Sequence, residues 1–329
     1  MIIQIEGVFN NRSQLACGLR GQLSQFAFES PQAMGMGKDF YDQSPQAREV
    51  FDAADNILGF RLSDLCFHGP DDQLQATDNA QVGIFVTSMA IYQTLIAENK
   101  LPAAPDFVAG LSLGEYTALC IAGVFSFVDG VKLVRERGRL MQAAATAPPS
   151  TMLALVGADE PTADDICRAA SDKGIIVSAN FNAPGQIVLS GAVPACQAAT
   201  GIAESKGLRA VMLPVAGAFH SPFMQSAADE MRQVLANVAF KPASCPVVSN
   251  VTAQVHGADT QGIKDLLVQQ IVAPVRWYQG MEYLRSHGVD TYMELGPGRV
   301  LTGLHKRIDR RAVIANVSTF NALAQSPAA

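Results

Sequence analysis

The segment Gly-Leu-Ser-Leu-Gly at positions 110–114 places a serine between two glycines. Residues 106–110 have the pattern of a short apolar strand, and the spacing that follows predicts a helix. Glycines permit the sharp strand-to-helix turn that presents a nucleophilic serine, and free N–H groups at the start of the helix stabilise an oxyanion. We expect the N–H of Leu113 to be the first such donor. The alternative is a glycine-bounded turn in which Ser112 has no chemical role.

A serine hydroxyl needs a general base, and histidine takes up a proton near neutral pH. The chain has five histidines. Four of them lie in apparent surface loops or polar helical stretches: His68, His256, His287 and His305. His220 lies instead in the segment 217–224, where the chain leaves a strand-rich region. We therefore expect His220 to face Ser112, and a core or capping role is the alternative.

The composition argues against several classes of function. Of 329 residues, 49% are hydrophobic, and 30 acidic residues outnumber 24 basic ones, which gives a formal net charge of −6. This balance offers no basic field for nucleic acid or anionic lipid, and no uninterrupted apolar run reaches the ~18 residues of a membrane span. The six cysteines form no CxxC pair, which favours reduced thiols over a disulfide framework or a metal site. We expect a cytoplasmic monomer that binds no nucleic acid, membrane or metal.

The periodicity of the sequence predicts two parts. Residues 150–216 read as strand, helix, two strands, helix and strand, the β-α-β-β-α-β order of a ferredoxin-like subdomain. Residues 1–149 and 217–329 carry longer helices and buried strands, the latter including 247–251 and 291–295. They predict one discontinuous catalytic α/β domain, α/β-hydrolase-like, with a parallel sheet and a nucleophile elbow. The cleft between the two parts is the expected ligand site.

Five motifs resemble those of malonyl-CoA:acyl-carrier-protein transacylases. They are GLSLGEY at 110–116, RGRLMQ at 137–142, NFNAPGQ at 180–186, GAFH at 217–220 and ELGPG at 294–298. Each is weak alone, but five in this order at matching separations are specific, and the resemblance covers about residues 33–320. It implies that malonyl-CoA acylates Ser112, that the pantetheine thiol of acyl carrier protein then takes the malonyl group, and that His220 moves the proton. No cofactor is needed for this chemistry.

The resemblance also implies residues that bind the substrate or support the site. Members of the family place an arginine at the position of Arg137, and a planar guanidinium suits a free malonyl carboxylate. Taken without the resemblance, Arg137 reads as a solvated helix arginine. Gln270 matches the residue whose main-chain carbonyl orients the histidine, and Asn182 belongs to a segment that lines or supports the cleft. Phe219 matches a bulky residue found in malonyl-selective members.

Two positions depart from the family pattern. Members of the family have a Gly-Gln-rich loop near the N-terminus, and the N–H of its first glutamine is the second oxyanion donor. The register from residues 35–39 puts Glu29 at that position, and Gln22 is the other candidate. A carboxylate there repels both an oxyanion and a malonate, although a backbone N–H does not depend on its side chain. Leu111 stands where many members carry histidine.

Other functions stay open on the sequence. A serine hydrolase or thioesterase shares the elbow but has no use for a buried arginine. A degenerate scaffold would bind the carrier protein without turnover. Within the family, another acyl specificity such as methylmalonyl is a further alternative, and the sequence does not separate fatty acid from polyketide synthesis.

Overall fold

The computed structural model describes residues 2–5, 33–101, 105–146, 149–215 and 217–323. The helices within these ranges are α1 (Lys38–Gln43), α2 (Pro45–Leu58), α3 (Leu62–His68), α4 (Asp71–Leu74), α5 (Thr77–Ala97), α6 (Leu113–Ile121), α7 (Phe127–Ala145), α8 (Glu160–Ala170), α9 (Val193–Ser205), α10 (Gln225–Ala236), α11 (Thr260–Val272), α12 (Trp277–Ser286), α13 (Val300–Ile308) and α14 (Phe320–Leu323). The strands are β1 (Ile2–Ile5), β2 (Phe107–Gly110), β3 (Ser150–Val156), β4 (Ile176–Ala183), β5 (Gln186–Ala192), β6 (Arg209–Leu213), β7 (Val247–Val248), β8 (Thr291–Leu295) and β9 (Val313–Val317).

The described strands form two sheets of different kinds. The first has the order β7-β2-β1-β8-β9, and each neighbouring pair is parallel. The second has the order β4-β5-β3-β6, and each neighbouring pair is antiparallel. All strands of the second sheet lie between α7 and α10 in the chain, whereas the first sheet draws on strands from both sides of that segment. The fold is therefore α/β, as predicted, and the boundaries of the predicted domains stay a prediction.

Most predicted elements are present, but the strand predicted at 247–251 is much shorter. It ends at Val248, and the chain then turns: Ser249 N–H donates to the Gln254 carbonyl, and Ala253 has a φ of 57°. The main-chain N–H of Asn250 donates to the side chain of Glu115 instead of to a neighbouring strand. A polar contact on α6 thus takes the place of sheet pairing at this point.

Helix α5 forms the centre of the largest apolar cluster. By length and composition it could cross a bilayer, but 78% of its most apolar window is buried inside the fold. It packs against α2 and α7, and a helix that is apolar on all sides is typical of a protein core. The burial of α5 fixes the position of α7, which carries Arg137.

Candidate active site

Ser112 occupies a tight turn between β2 and α6. Its backbone has φ 52° and ψ −103°, a region that non-glycine residues rarely adopt. The turn brings the backbone of Gly110 so close to that of Gly114 that a Cβ on Gly110 would lie 1.9 Å from the Gly114 carbonyl carbon. The two glycines thus permit the turn, as the sequence predicted, and the side chain of Ser112 projects from it in a strained conformation.

His220 lies against this serine. Ser112 Oγ is 2.8 Å from His220 Nε2, and His220 Nδ1 is 2.8 Å from the main-chain carbonyl oxygen of Gln270. A carbonyl only accepts hydrogen bonds, so Nδ1 carries the proton and donates it to Gln270. Nε2 is therefore left with the lone pair that accepts from the Ser112 hydroxyl, and the pair is arranged for proton transfer.

The imidazole of His220 is neutral at pH 7. Burial lowers its pKa to about 4, the positive charge of Arg137 acts in the same direction, and the hydrogen bond to the Gln270 carbonyl opposes them in part. An unprotonated Nε2 is the form that can take a proton from a serine hydroxyl. Nε2 of His220 is therefore able to accept a proton over the whole neutral range.

Arg137 is a buried cation next to Ser112. Its side chain is 1% exposed. Nη2 donates to Ser112 Oγ at 3.0 Å and to Gln270 Oε1 at 3.0 Å, and Nη1 donates to Gln81 Oε1. The guanidinium lies 5.3 Å from the centre of the Tyr116 ring, and its Nε has no hydrogen-bond partner among the described residues. Arg137 is therefore not the solvated helix arginine that its sequence context alone suggests.

Two other arginines of α7 are in a different environment from Arg137. Arg135 and Arg139 lie closer to solvent and pair with carboxylates, Arg135 with Asp78 and Arg139 with Glu136. Burial lowers the pKa of Arg137, and the nearby Tyr116 and Glu115 act against that shift. A cation kept in such a place costs free energy unless an anion binds to it, so the position suggests an anionic ligand.

The cavity beside Ser112 is small. Its volume is about 20 Å³, which is room for one water molecule. Its lining is made of Thr77, Gln81, Ser112, Arg137, Met141, Met152, Asn180, Val215, Phe219 and His220. Asn180 is buried, and neither its Oδ1 nor its Nδ2 has a partner among the described residues. The cavity thus presents an unused amide beside the serine, the histidine and the arginine.

The remaining predicted site residues are placed as follows. Leu113 is the first residue of α6 and is buried behind the turn. Asn182 is buried on β4 but does not line the cavity. Leu111 is part of an apolar cluster with Val275 and Trp277. Glu29 lies outside the described residues, so the second oxyanion donor stays a prediction.

Sequence reasoning missed a polar network behind the turn. Asn250 and Glu115 are buried and hydrogen-bonded around Ser112. His256, which we expected in a surface loop, is only 8% exposed, and its Nε2 lies 2.6 Å from Glu115 Oε1. His305, expected in a polar helical stretch, is buried against the ring of Tyr292. Neighbouring glycine and charged residues suggested exposure, but the three-dimensional packing decides it.

Within the described part of the chain, no three His, Cys, Asp or Glu side chains are grouped so that they could share a metal ion. The described cysteines, Cys66, Cys120, Cys167, Cys196 and Cys245, are buried and form no disulfide.

Comparison with known proteins gives a consistent result. A family model described as an acyl transferase domain matches residues 29–320. The malonyl CoA-acyl carrier protein transacylase of Bacillus subtilis is 40% identical over 308 residues, which cover 93% of this chain and 94% of that protein.

Solved structures match over almost the whole chain. An acyl carrier protein S-malonyltransferase from Vibrio cholerae has a TM-score of 0.89 at 33% identity and covers 99% of both chains. The malonyl-transacylase in a complex with a type II PKS acyl-carrier protein has a TM-score of 0.88 at 32% identity, over 99% of this chain and 98% of that one.

Proposed function

This chain belongs to the malonyl-CoA:acyl-carrier-protein transacylase family, and we propose that it moves a malonyl group from malonyl-CoA to acyl carrier protein through Ser112. One observation carries the assignment of residues: Ser112 Oγ lies 2.8 Å from His220 Nε2 and 3.0 Å from the guanidinium of Arg137. A nucleophile, its base and a cation for the free carboxylate of the substrate thus meet at one atom.

In the first half-reaction, Ser112 Oγ attacks the thioester carbonyl of malonyl-CoA while His220 Nε2 takes the hydroxyl proton. The tetrahedral intermediate collapses, the carbon–sulfur bond breaks, and His220 returns the proton to the leaving thiolate of coenzyme A. A malonyl-Ser112 ester remains. The main-chain N–H of Leu113 is one oxyanion donor of this proposal, and the N–H of Glu29 is the other.

In the second half-reaction, the pantetheine thiol of acyl carrier protein replaces coenzyme A. His220 takes the thiol proton, the thiolate attacks the ester carbonyl, and the carbon–oxygen bond to Ser112 breaks. The serine regains its proton from the imidazolium. Protons and leaving groups balance over both halves, so the reaction needs neither a metal nor a redox cofactor. Malonyl-carrier protein then supplies fatty acid or polyketide synthesis.

Arg137 sets the acyl specificity in this proposal. A malonyl group ends in a carboxylate, whereas an acetyl group does not, and a buried guanidinium gains most by pairing with the former. The unpartnered amide of Asn180 is placed to hydrogen-bond the acyl group or its thioester, because an amide left without a partner in a buried site costs free energy. An esterase for neutral acyl groups would have no substrate carboxylate to pair with this cation.

The parallel sheet with its elbow after β2 supports an α/β-hydrolase-like domain, and the strand order β4-β5-β3-β6 supports a ferredoxin-like subdomain at 150–216. The malonyl specificity of the site is supported by Phe219, which lines the cavity next to His220. A cytoplasmic location is supported by the five described cysteines, which are buried as free thiols.

The assignment is tested by acid-quenching the protein after incubation with malonyl-CoA and measuring intact and peptide mass. We expect a malonyl adduct on Ser112 that is absent in Ser112→Ala. When malonyl-CoA and acetyl-CoA are supplied together, we expect the ratio of malonyl adduct to acetyl adduct to fall about a hundredfold in Arg137→Ala, because the carboxylate has lost its partner. Arg135→Ala, two residues earlier on the same helix, is the control and keeps the preference of the unaltered protein.

The other functions have distinct outcomes in this experiment. Release of coenzyme A without an adduct would identify a hydrolase. An absence of both adduct and release, together with retained binding of acyl carrier protein, would identify a scaffold without turnover.

A further inference from the structure

Two side-chain amides hold the backbone of Ser112. Asn250 bridges the turn: its Nδ2 donates to the Gly110 carbonyl at 2.7 Å, and its Oδ1 accepts from the Ser112 N–H at 2.5 Å. On the other side, Gln270 Nε2 donates to the Ser112 carbonyl at 2.9 Å. The main-chain N–H and the main-chain carbonyl of Ser112 are therefore both held by side chains from distant parts of the sequence.

Both residues also bind one carboxylate, that of Glu115, Asn250 through its main chain and Gln270 through its side chain. Its Oε2 accepts from the main-chain N–H of Asn250 at 3.0 Å and from Gln270 Nε2 at 2.7 Å, and its Oε1 lies 2.6 Å from His256 Nε2. Glu115 has no solvent exposure, and His256 is also buried. A carboxylate has two oxygens that only accept, so it satisfies three donors at once.

Gln270 connects this network to the base as well. Its main-chain carbonyl accepts from His220 Nδ1, while its side chain binds the Ser112 carbonyl and Glu115. A movement of Gln270 therefore changes the direction of the imidazole and the path of the Ser112 backbone together. Rates of reactions in preorganised sites depend steeply on such positions.

We propose that Glu115 and Asn250 are positioning residues of the transfer reaction. Asn250 clamps the strained turn of Ser112, and Glu115, held by His256, locks Asn250 and Gln270 so that nucleophile and base stay aligned. The inference deepens the proposed function and rests on it for the identity of the acyl donor, but the geometry that it explains is that of Ser112 and His220 alone.

The chain offers a matched control for a buried carboxylate. Glu294 has no solvent exposure either, and it accepts hydrogen bonds from Leu301 N–H, Thr302 N–H and Asn316 Nδ2. None of these partners lines the cavity beside Ser112. Glu294→Gln therefore disturbs a buried network of similar size without touching the proposed alignment.

The experiment measures two rates on folded protein. The first is the labelling of Ser112 by phenylmethylsulfonyl fluoride, a small reagent that reports on the nucleophile and needs neither malonyl-CoA nor Arg137. The second is steady-state malonyl transfer, resolved into kcat and KM. Circular dichroism and thermal unfolding give the folded fraction, by which each rate is divided.

We expect Glu115→Gln to label at least about tenfold more slowly than the unaltered protein and to lose about as much in kcat, with KM for malonyl-CoA within about threefold. Glutamine keeps the shape but turns one acceptor into a donor, which leaves too few acceptors for Asn250, Gln270 and His256 in their present arrangement. Glu294→Gln should label within about twofold of the unaltered rate, because its partners do not hold the serine.

Asn250→Ala removes one clamp and keeps the carboxylate, so it should slow labelling by a similar factor. If Glu115→Gln does not accumulate as folded protein, Asn250→Ala alone tests the inference. The inference would be overturned if Glu115→Gln and Asn250→Ala both labelled at the rate of the unaltered protein. It would also be overturned if Glu294→Gln labelled as slowly as those two variants. If the unaltered protein labels at Ser112 but transfers no malonyl group, the proposed function fails while the labelling rates still decide the inference.

Discussion

At the scale of single residues, one hydroxyl contacts both a neutral base and a cation. The charge of Arg137 adds to the effect of burial in lowering the pKa of His220 to about 4, which makes the resting imidazole a weak base. A malonyl carboxylate that pairs with Arg137 would offset this charge and raise the pKa of His220. The acyl group with the right charge would thus strengthen the base at the moment when Ser112 must lose its proton.

This coupling predicts the behaviour of Arg137→Met, which removes the charge and keeps an elongated side chain. Without the positive neighbour the imidazolium forms more easily, so the pKa of His220 should rise from about 4. Because burial remains, it should stay below its ordinary value of 6.5. The acid limb of the pH profile for labelling of Ser112 by phenylmethylsulfonyl fluoride should accordingly move to higher pH.

Arg135→Met is the control for that profile, since Arg135 pairs with Asp78 and lies away from the cavity. Its acid limb should coincide with that of the unaltered protein. A limb that stays in place or moves to lower pH in Arg137→Met would show that the cation does not influence the base.

At the scale of elements, two close backbone contacts place the reacting groups. The contact between Gly110 and Gly114 lets α6 begin with only two residues between it and the end of β2. Gly138 brings α7 against the start of α5, where a Cβ on Gly138 would lie 2.7 Å from the Cα of Asp78. That approach puts Arg137 within hydrogen-bond distance of Gln81. Both contacts are between backbones, so neither can relax by turning a side chain.

Gly110→Ala should therefore be strongly destabilising, by about 3 kcal/mol or more, because the new Cβ would overlap the backbone of Gly114. Gly201→Ala on α9 is a matched substitution with nothing within 4 Å of the new Cβ. There we expect the free energy of unfolding to increase by about 0.5–1 kcal/mol, since alanine has a higher helix propensity than glycine. Urea unfolding measures both, and equal stabilities of the two variants would contradict the role given to the turn.

The elements and the turn around Ser112 were predictable because their signals are local. The strand at Thr291–Leu295 was predicted with the bounds that it has in the structure, and the two glycines around Ser112 mark a turn within five residues. The contacts of Asn250 are of another kind, since it binds Ser112 across 138 positions of sequence. Its segment reads as the end of an apolar strand, and no local pattern indicates a clamp. The burial of His256 was missed for the same reason.

At the scale of the whole molecule, buried neutral histidines couple folding to pH. Burial lowers the pKa of His305 to about 4, and Asp309 opposes this shift, so His305 resembles His220 in its folded pKa. In the unfolded chain both histidines return to their ordinary value of 6.5. Between pH 6.5 and pH 4 the unfolded state therefore binds more protons than the folded state. The contribution of these two histidines to the free energy of unfolding is therefore fully present above pH 6.5 and falls as the pH drops through this window.

Replacing His305 by phenylalanine tests this coupling without touching the cavity, because His305 packs on the ring of Tyr292 outside it. Each depressed histidine contributes a slope of up to about 1.4 kcal/mol per pH unit inside the window. His305→Phe should therefore lose less stability than the unaltered protein between pH 7 and pH 5, as measured by urea unfolding at each pH. His287→Phe, at an exposed position, should keep the original slope. If the free energy of unfolding changes with pH equally in His305→Phe and His287→Phe, the protonation of His305 does not contribute to the loss of stability in acid.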